Sequence, residues 1–528
     1  MPSSESSPPV HHTSYLYITV FTTGMTTLAL EFSASRLLGN YFGTSNLVWA
    51  SIIGLILIYL TVGYFLGGYW ADRSPNYRTF FRILMWGGFT GGLVPVISRP
   101  VLRISAEAFD QLQMGVLAGS FVSVLVLFCI PITLLGTASP FAIRLALHNT
   151  RTAGSISGRI YAISTLGSFI GTFLPVLILI PALGTYRTFL VFSELVLLVS
   201  AFFLYKTSGF KTVLPYLMMP VIILVLLFLG IRGTDKVTPG LIYETESTYN
   251  YIQVLQEGDY RLLRLNDGQG VHSVYHPTEL IFYGPWEQVL AAPFFNPPPY
   301  DPARLTSMAI VGLAAGTTAR QATIAFPNIL IDGIEIDPKI IQVGRDYFDL
   351  NLPNLNIIVQ DGRWALERSP RQYQIISLDA YRPPYIPPHL TTREFFLQVR
   401  NHLTDDGVMV INIGRSPRDR RLINSIHSTI QDIFPSIYVM DIPNTFNSIL
   451  YATMKPTQPV FLLENYTLLK ERNEINSVIL YAVETTLTNL KKTPDPGVIF
   501  TDDNAPVEWI TNSLILDYIF SGGMENLK

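Results

Sequence analysis

The sequence predicts a multi-pass α-helical membrane domain of about seven spans, followed by an α/β domain that opens with a β-hairpin region. Two observations carry this reading. Up to about residue 235 the chain repeats apolar runs of about 20 residues, the length that crosses a bilayer core as helix. From about residue 237 the composition is that of a soluble protein, with short apolar strands alternating with helical stretches. The whole-chain averages, 49% hydrophobic and 14% charged, conceal these two halves.

The 528-residue chain divides into a polar tail at 1–13, a helical membrane domain at 14–235, a β region at 236–300 and an α/β domain at 301–528. The apolar runs are 15–38, 46–69, 79–98, 114–138, 157–181, 186–206 and 212–231. Buried helices of soluble proteins do not repeat at this length. Met1–His12 has no Lys or Arg, so a short tail is expected here and not a cleaved signal. Gly63 and Gly67, like Gly167 and Gly171, are spaced for close helix packing. Pro175, Pro181, Pro215 and Pro220 are expected to kink or end helices. Glu31 and Glu194 are carboxylates in apolar surroundings, a costly placement that marks functional candidates. Glu31 has Arg36 nearby as a partner, whereas no charge lies beside Glu194 in sequence. The stretch from Gly68 through Asp72-Arg73 resembles the Gly-x-x-x-Asp-Arg loop after the second helix of major facilitator transporters.

A net charge of −3 gives no reason to expect nucleic acid. The single cysteine, Cys129, excludes an internal disulfide and a thiolate metal site.

In the second half, residues 237–265 read as extended hairpin strands turning at Glu257-Gly-Asp259. Five further strands are expected at Ser307–Val311, Ile329–Ile336, Asn356–Val359, Gln374–Leu378 and Gly407–Ile413. In such sheets ligands bind at the carboxyl ends of the strands, where the candidate residues stand. Gly312 and Gly316 form a turn that lets a ligand approach the backbone. Glu335, 23 residues after Gly312, is placed for two ribose hydroxyls. Asp361 after the third strand is placed for an adenine amino group, and Asp379 after the fourth for the reacting centre. The turn lacks the full Gly-x-Gly-x-x-Gly pattern, which disfavours a dinucleotide.

Residues 245–510 resemble the polyamine aminopropyltransferases, the spermidine synthase family. The resemblance rests on the Glu246-Ser-Thr-Tyr-Asn-Tyr-Ile-Gln-Val254 hairpin start and on Leu265-Asn-Asp-Gly-Gln-Gly-Val-His-Ser273. It rests also on Ile334-Glu-Ile-Asp-Pro338, Gln360-Asp-Gly362 and Leu390-Thr-Thr-Arg-Glu-Phe-Phe396. The whole chain resembles a membrane-fused branch of that family, through the segment from Gly158 to Gly171 and through Thr501-Asp-Asp-Asn-Ala-Pro-Val-Glu-Trp509. The resemblance implies a Rossmann-like S-adenosylmethionine-dependent transferase domain that moves an aminopropyl group from decarboxylated S-adenosylmethionine to an amine, with no metal. Asp379 matches the catalytic carboxylate. Gly312, Gly316, Glu335, Asp337, Asp361 and Gly362 fall on cofactor positions. Gln269, His272, Tyr381 and Arg382 are assigned to the substrate side.

Two positions depart from the family. Ala315 stands where a carboxylate holds the aminopropyl ammonium, and Arg382 stands where the catalytic loop has a second acid. Both leave cofactor binding intact, but an arginine suits a carboxylate-bearing ligand such as full S-adenosylmethionine. Alternatives therefore stay open: a methyl or carboxyaminopropyl transferase, or a transporter or sensor with a non-catalytic nucleoside- or polyamine-binding domain. Expected partners are a small-molecule amine and the lipid bilayer, with a homodimer admitted. The chain is expected in the cell membrane. Arg73, Arg78, Arg82, Arg144, Arg151, Arg159, Lys206 and Lys211 outweigh Arg36, Arg99, Arg103 and Arg187 on alternate loops, which favours an inside N-terminus. Seven spans would then carry the α/β domain outside. A cofactor made in the cytoplasm argues for a cytoplasmic domain instead.

Overall fold

The computed structural model describes residues 11–42, 46–111, 115–147, 149–229, 238–266, 270–381, 386–416, 419–472, 476–511 and 513. The chain separates into two compact units, Met1–Lys236 and Val237–Lys528.

Among the described residues of the first unit, five helices are long and apolar enough to cross a membrane: Val48–Arg73, Tyr77–Leu102, Gly119–Ala146, Ala153–Leu183 and Thr185–Ser208. A sixth candidate is a broken pair, Phe210–Tyr216 and Met218–Leu229, which meet at 43°. The count of about seven is corrected on two grounds. The last run is broken near Pro215, where a 3₁₀ turn occupies Leu214–Tyr216. The first run lies in one long helix, His11–Phe42, but six threonines lower its apolarity. Those hydroxyls are satisfied within the protein. Thr19, Thr22, Thr23 and Thr27 donate to carbonyls one turn earlier, and Thr26 donates across to the Phe192 carbonyl at 3.2 Å. Pro175 opens a π-helical turn, Pro175–Leu179, and Gly184 at φ +82° separates this helix from the next.

The paired glycines seat helix against helix. A Cβ on Gly167 would stand 2.0 Å from the Phe21 carbonyl oxygen, and one on Gly171 2.0 Å from that of Met25. On Gly63 it would stand 2.4 Å from the Thr133 carbonyl oxygen. In each case a backbone is in the way, and a backbone cannot swing aside as a side chain can.

The second unit begins with a four-stranded antiparallel sheet: β1 (Leu241–Glu246), β2 (Tyr251–Glu257), β3 (Tyr260–Leu265) and β4 (Val271–Tyr275), paired in that order. Seven strands follow: β5 (Ser307–Val311), β6 (Leu330–Glu335), β7 (Leu355–Val359), β8 (Tyr373–Leu378), β9 (Leu403–Gly414), β10 (Ser436–Asp441) and β11 (Asn447–Thr453). Their order is β10-β11-β9-β8-β5-β6-β7. The five strands from β9 to the β7 edge are parallel, with Val311 opposite Ile334 on one side and Leu378 on the other. The sequence anticipates these five but not β10 and β11, which pair antiparallel on the β9 edge. Apolar clusters cover both faces. One holds Leu290, Phe295, Phe326 and Val483, the other Phe395, Phe396, Leu422 and Ile426. From β5 the chain proceeds to β6 and β7 on one side, then returns to β8 on the other. The crevice at a topological switch point therefore opens between β5 and β8.

Gly167→Leu and Gly171→Leu are predicted to lower the melting temperature of the purified protein, since overpacking costs about 1–3 kcal/mol. Gly158→Ala, at a position with nothing within 4 Å, should leave it unchanged. Equal melting of all three variants in fluorescence-detected size exclusion would refute backbone contact at these glycines.

Candidate active site

The site is assembled from four strand ends. After β5 the chain turns through Gly312 (φ +92°), Ala314 (φ +49°) and Gly316 (φ +88°) into the helix Thr317–Ala325. Gly312 and Leu313 both donate to the Ile334 carbonyl, at 2.9 and 3.0 Å, which ties the turn to β6. Glycine is required at Gly312 for a reason beyond its dihedral. A Cβ there would stand 2.4 Å from the Asp379 carbonyl oxygen, so the turn lies directly against the end of β8. The Asp379 amide in turn donates to the Val311 carbonyl at 2.9 Å.

Glu335 ends β6 and is buried. Its Oε2 accepts from the Ala314 amide at 2.9 Å and its Oε1 from the Asp337 amide at 3.1 Å. Each oxygen keeps a lone pair, which suits two adjacent hydroxyls. Burial pushes its carboxyl up to about 7. Asp337, expected on the cofactor, is instead fully buried and spent on the fold. Its Oδ1 caps the helix Pro338–Tyr347 through the Lys339 amide, and its Oδ2 accepts from Ser247 and from Asn250 Nδ2. This correction has a plain cause: an N-cap faces its own helix.

Asp361 caps the helix Gly362–Glu367, its Oδ1 accepting from the Arg363 and Trp364 amides at 3.0 and 3.1 Å. Its Oδ2 lies 2.9 Å from His389 Nε2, and the histidine hydrogen bond holds its carboxyl below the usual range. Gly362 is buried at the start of that helix, with Val311 Cγ1 2.4 Å from where a Cβ would be, so it packs against β5. Asp361 lines an open cleft of about 770 Å³ together with Tyr249, Ile336, Pro338, Gln360 and Trp364. That volume is in the range of nucleoside-sized ligand sites.

Asp379, after β8, is partly buried, and desolvation pushes its carboxyl up to about 6. Its Oδ1 accepts from Asn412 Nδ2 at 2.9 Å. Tyr381 donates to the Asn412 carbonyl at 3.1 Å and accepts from the Gly414 amide at 2.8 Å. Its hydroxyl is therefore committed to β9, and burial pushes it up so that it stays neutral. His272 lies on β4 beside Ser273, whose Oγ accepts from the Ala315 amide at 2.9 Å. Desolvation takes the imidazole down to about 4, so it is neutral at physiological pH. Gln269 and Arg382 lie outside the described residues. Ala315 is buried in an apolar cluster with Ile252, Leu263, Ile340, Val343 and Phe348. Among the described residues no three His, Cys, Asp or Glu side chains are placed to hold a metal.

Several contributors escape a linear reading. Asn412 is one; an amide inside the apolar run Val408–Ile413 is its only sequence signal. A polar clamp is another. Arg363 makes a bidentate pair with Asp502 at 2.7 and 2.8 Å and also donates to Gln398 and to the His389 carbonyl. Thr392 donates to Asp502 at 2.7 Å, and the Asp502 amide donates to Glu394. The Thr392 and Asp502 motifs, 110 residues apart, thus close around the helix that Asp361 caps.

These features define an α/β domain with an open cleft at the carboxyl ends of its parallel strands. Residues 307–464 match the family model of the spermine/spermidine synthase domain. The chain is 32% identical over 281 residues to a probable polyamine aminopropyl transferase of Bifidobacterium longum (strain NCC 2705), covering 51% of this chain and 61% of that one. It is 28% identical over 163 residues to the mouse (Mus musculus) eEF1A lysine and N-terminal methyltransferase, covering 29% of this chain and 23% of that one. A probable spermidine synthase from Corynebacterium glutamicum ATCC 13032 aligns with a TM-score of 0.38 at 18% identity, over 49% of this chain and 97% of that one. The chain thus spans less than two thirds of the length of the Bifidobacterium relative. Its C-terminal half carries a domain of the spermidine synthase family, a family of transferases.

Asp502 is held down to about 2 by Arg363. A depressed carboxyl adds stability above its unfolded value near 4 and loses it as pH falls towards 2. Asp502→Asn is predicted to melt lower than the parent at pH 7, with the gap closing between pH 4 and 2. A gap independent of pH in thermal melts would show that the pair does not act through its charge.

Proposed function

We propose that the α/β domain is an aminopropyltransferase that takes decarboxylated S-adenosylmethionine and a small amine. The observation that carries this is Asp379, a carboxylate with a raised pKa at the switch point, bonded to Asn412 and set against the glycine turn. Glu335 is suited to hold the ribose hydroxyls. Asp361, which shares its Oδ2 with His389, is suited to receive the adenine amino group. The amine nitrogen attacks the carbon next to the sulfonium; the new C–N bond forms as the C–S bond breaks. The sulfur leaves as a neutral thioether, and the nitrogen gives up a proton that ionised Asp379 accepts.

Because the base is the carboxylate, activity is predicted to fall as pH drops through about 6, the value to which burial raises Asp379. Asp379→Asn should lower turnover by about 10²–10⁴-fold, the usual worth of a positioned base, and should abolish that acidic limb. The assay is release of methylthioadenosine from decarboxylated S-adenosylmethionine with putrescine or other amines. No release with any amine near neutral pH would sink the proposal.

A second reading follows from Ala315. The family's carboxylate for the aminopropyl ammonium is replaced by a methyl group in an apolar cluster, and a domain that uses full S-adenosylmethionine would not need it. Tighter binding of S-adenosylmethionine than of its decarboxylated form, measured by calorimetry, would favour that reading. A third concerns the helical unit. Glu194 is 5% exposed, and neither carboxylate oxygen has a hydrogen-bond partner, the situation of a proton- or cation-binding group in a transporter. Uptake by proteoliposomes that survives Asp379→Asn but not Glu194→Gln would support it.

We infer further that the helical unit is a membrane domain and that the α/β domain faces the cytoplasm. The described part of the last helix, 12 residues, spans about 18 Å at ~1.5 Å per residue, short of a ~30 Å core. Its 43° break is suited to a segment that enters and returns, which reconciles the basic loops with a cytoplasmic cofactor. In a Cys129→Ser background, Asn76→Cys and Asp259→Cys are both predicted to react with an impermeant maleimide only after cells are opened. Labelling of Asp259→Cys in intact cells, with Asn76→Cys protected, would place the domain outside.

A further inference from the structure

One groove of the helical unit has a composition that the transferase chemistry does not use. It encloses about 340 Å³ and is lined chiefly by Trp70, Arg82, Ile83, Trp86, Ile130 and Leu134. Arg82 is its one charged group. The guanidinium lies over the Tyr216 ring at 5.6 Å, and its Nε is buried without a hydrogen-bond partner. Among the described residues no carboxylate pairs with it. The neighbouring cations are differently placed: Arg144 pairs with Asp72 at 2.9 Å, and Arg73 lies over Tyr69 at 4.3 Å. A partly desolvated cation without a counter-ion is unfavourable, and an anionic oxygen would relieve it.

The depth of these residues selects the anion. Arg82 is five residues into the helix that begins at Tyr77, about 8 Å along its axis, and Trp86 is about 6 Å further. The end where Arg82 sits also carries Arg73, Arg78 and Arg144 on neighbouring helix ends. Beyond Arg82 the wall is formed by Ile83, Leu134 and Ile130, the last 59% exposed, and by Thr90, whose hydroxyl donates to the Trp86 carbonyl of its own helix. An anion at one end, a hydrocarbon wall along the rest and an indole at each level match one molecule in shape and polarity. A soluble anion would leave the wall unused, and a zwitterionic lipid would bring its own headgroup cation beside Arg82 and the neighbouring arginines.

We propose that this groove binds an anionic phospholipid, with a phosphodiester oxygen on Arg82 and an acyl chain along Ile83, Leu134 and Ile130 between the two tryptophans. The site rests on the reading of the first unit as a membrane domain. The test is tryptophan quenching of the full chain reconstituted in vesicles containing brominated phosphatidylglycerol or brominated phosphatidylcholine. The anionic lipid should reach half-quenching at a roughly fivefold lower mole fraction, the preference expected of one basic side chain near the headgroups. Arg82→Gln should lose the preference, Arg82→Lys should keep it, and Trp86→Phe should remove much of the quenchable signal. Glycerol 3-phosphate in excess should not compete. Equal quenching by the two lipids in the unaltered chain, a preference that persists in Arg82→Gln, or full competition by glycerol 3-phosphate would each overturn the site. The first comparison needs no variant, so it stands even where Arg82→Gln does not fold. A chain that never enters the vesicles would refute the membrane reading and this site with it, whereas equal quenching of an inserted chain would refute the site alone.

Discussion

The close approach of Gly312 to the backbone of Asp379 is the constraint on which the soluble half depends. Only 2.4 Å separates the position of an absent Cβ from a carbonyl oxygen. A side chain there would push the glycine turn away from the end of β8. That one contact joins the glycine turn after β5 to the strand end that carries Asp379. It also explains why two motifs 67 residues apart behave as one site. The four-stranded sheet then closes over the turn, through Ser273 on the Ala315 amide and through Thr317 on both the amide and the carbonyl of Val274.

Around that junction the carboxylates divide by environment. Glu335 and Asp379 are desolvated and raised. Asp361 and Asp502 are held down by His389 and Arg363. Glu335, Asp379 and Asp361 stand at strand ends where ligand groups are expected, Asp361 while also capping a helix, and Asp502 builds the frame through Arg363. Asp337 belongs to the frame as well, although its Ile-Asp-Pro context reads as a ligand motif. A helix cap and a ligand contact demand the same residue type at a strand end, and only the direction of the side chain separates them.

The helical half is held by a different economy of polar groups. With no water in a bilayer core, every hydroxyl needs a partner inside the protein. The threonines of His11–Phe42 donate to carbonyls of their own helix or, at Thr26, to the Phe192 carbonyl in the helix Thr185–Ser208. Glu194 and Arg82 lack such partners among the described residues. The buried hydroxyls of Ser33, Tyr59, Thr133, Tyr186, Ser193 and Ser200 lack them too, but Glu194 and Arg82 are the two that can carry charge, and those two positions are where ligand or charge is expected to enter.

Much of this was legible in the sequence because it depends on local chemistry. Run lengths near 20 residues marked helices, alternation marked the five parallel strands, and glycine or acid after an apolar run marked the strand ends that face a ligand. The edge strands β10 and β11 were not legible, since antiparallel pairing on an edge follows from which neighbour is free and not from composition. Nor was the Arg363–Asp502 clamp, because ion pairing between residues 139 apart has no local signature. Pro215 marked the run that breaks, but the 43° size of the bend is a property of packing. The sequence by itself determined the two-part architecture and the order of the nucleoside motifs. Only the tertiary structure decided which of those carboxylates are spent on the fold, as Asp337 is, because that depends on the direction of a side chain after distant strands have met.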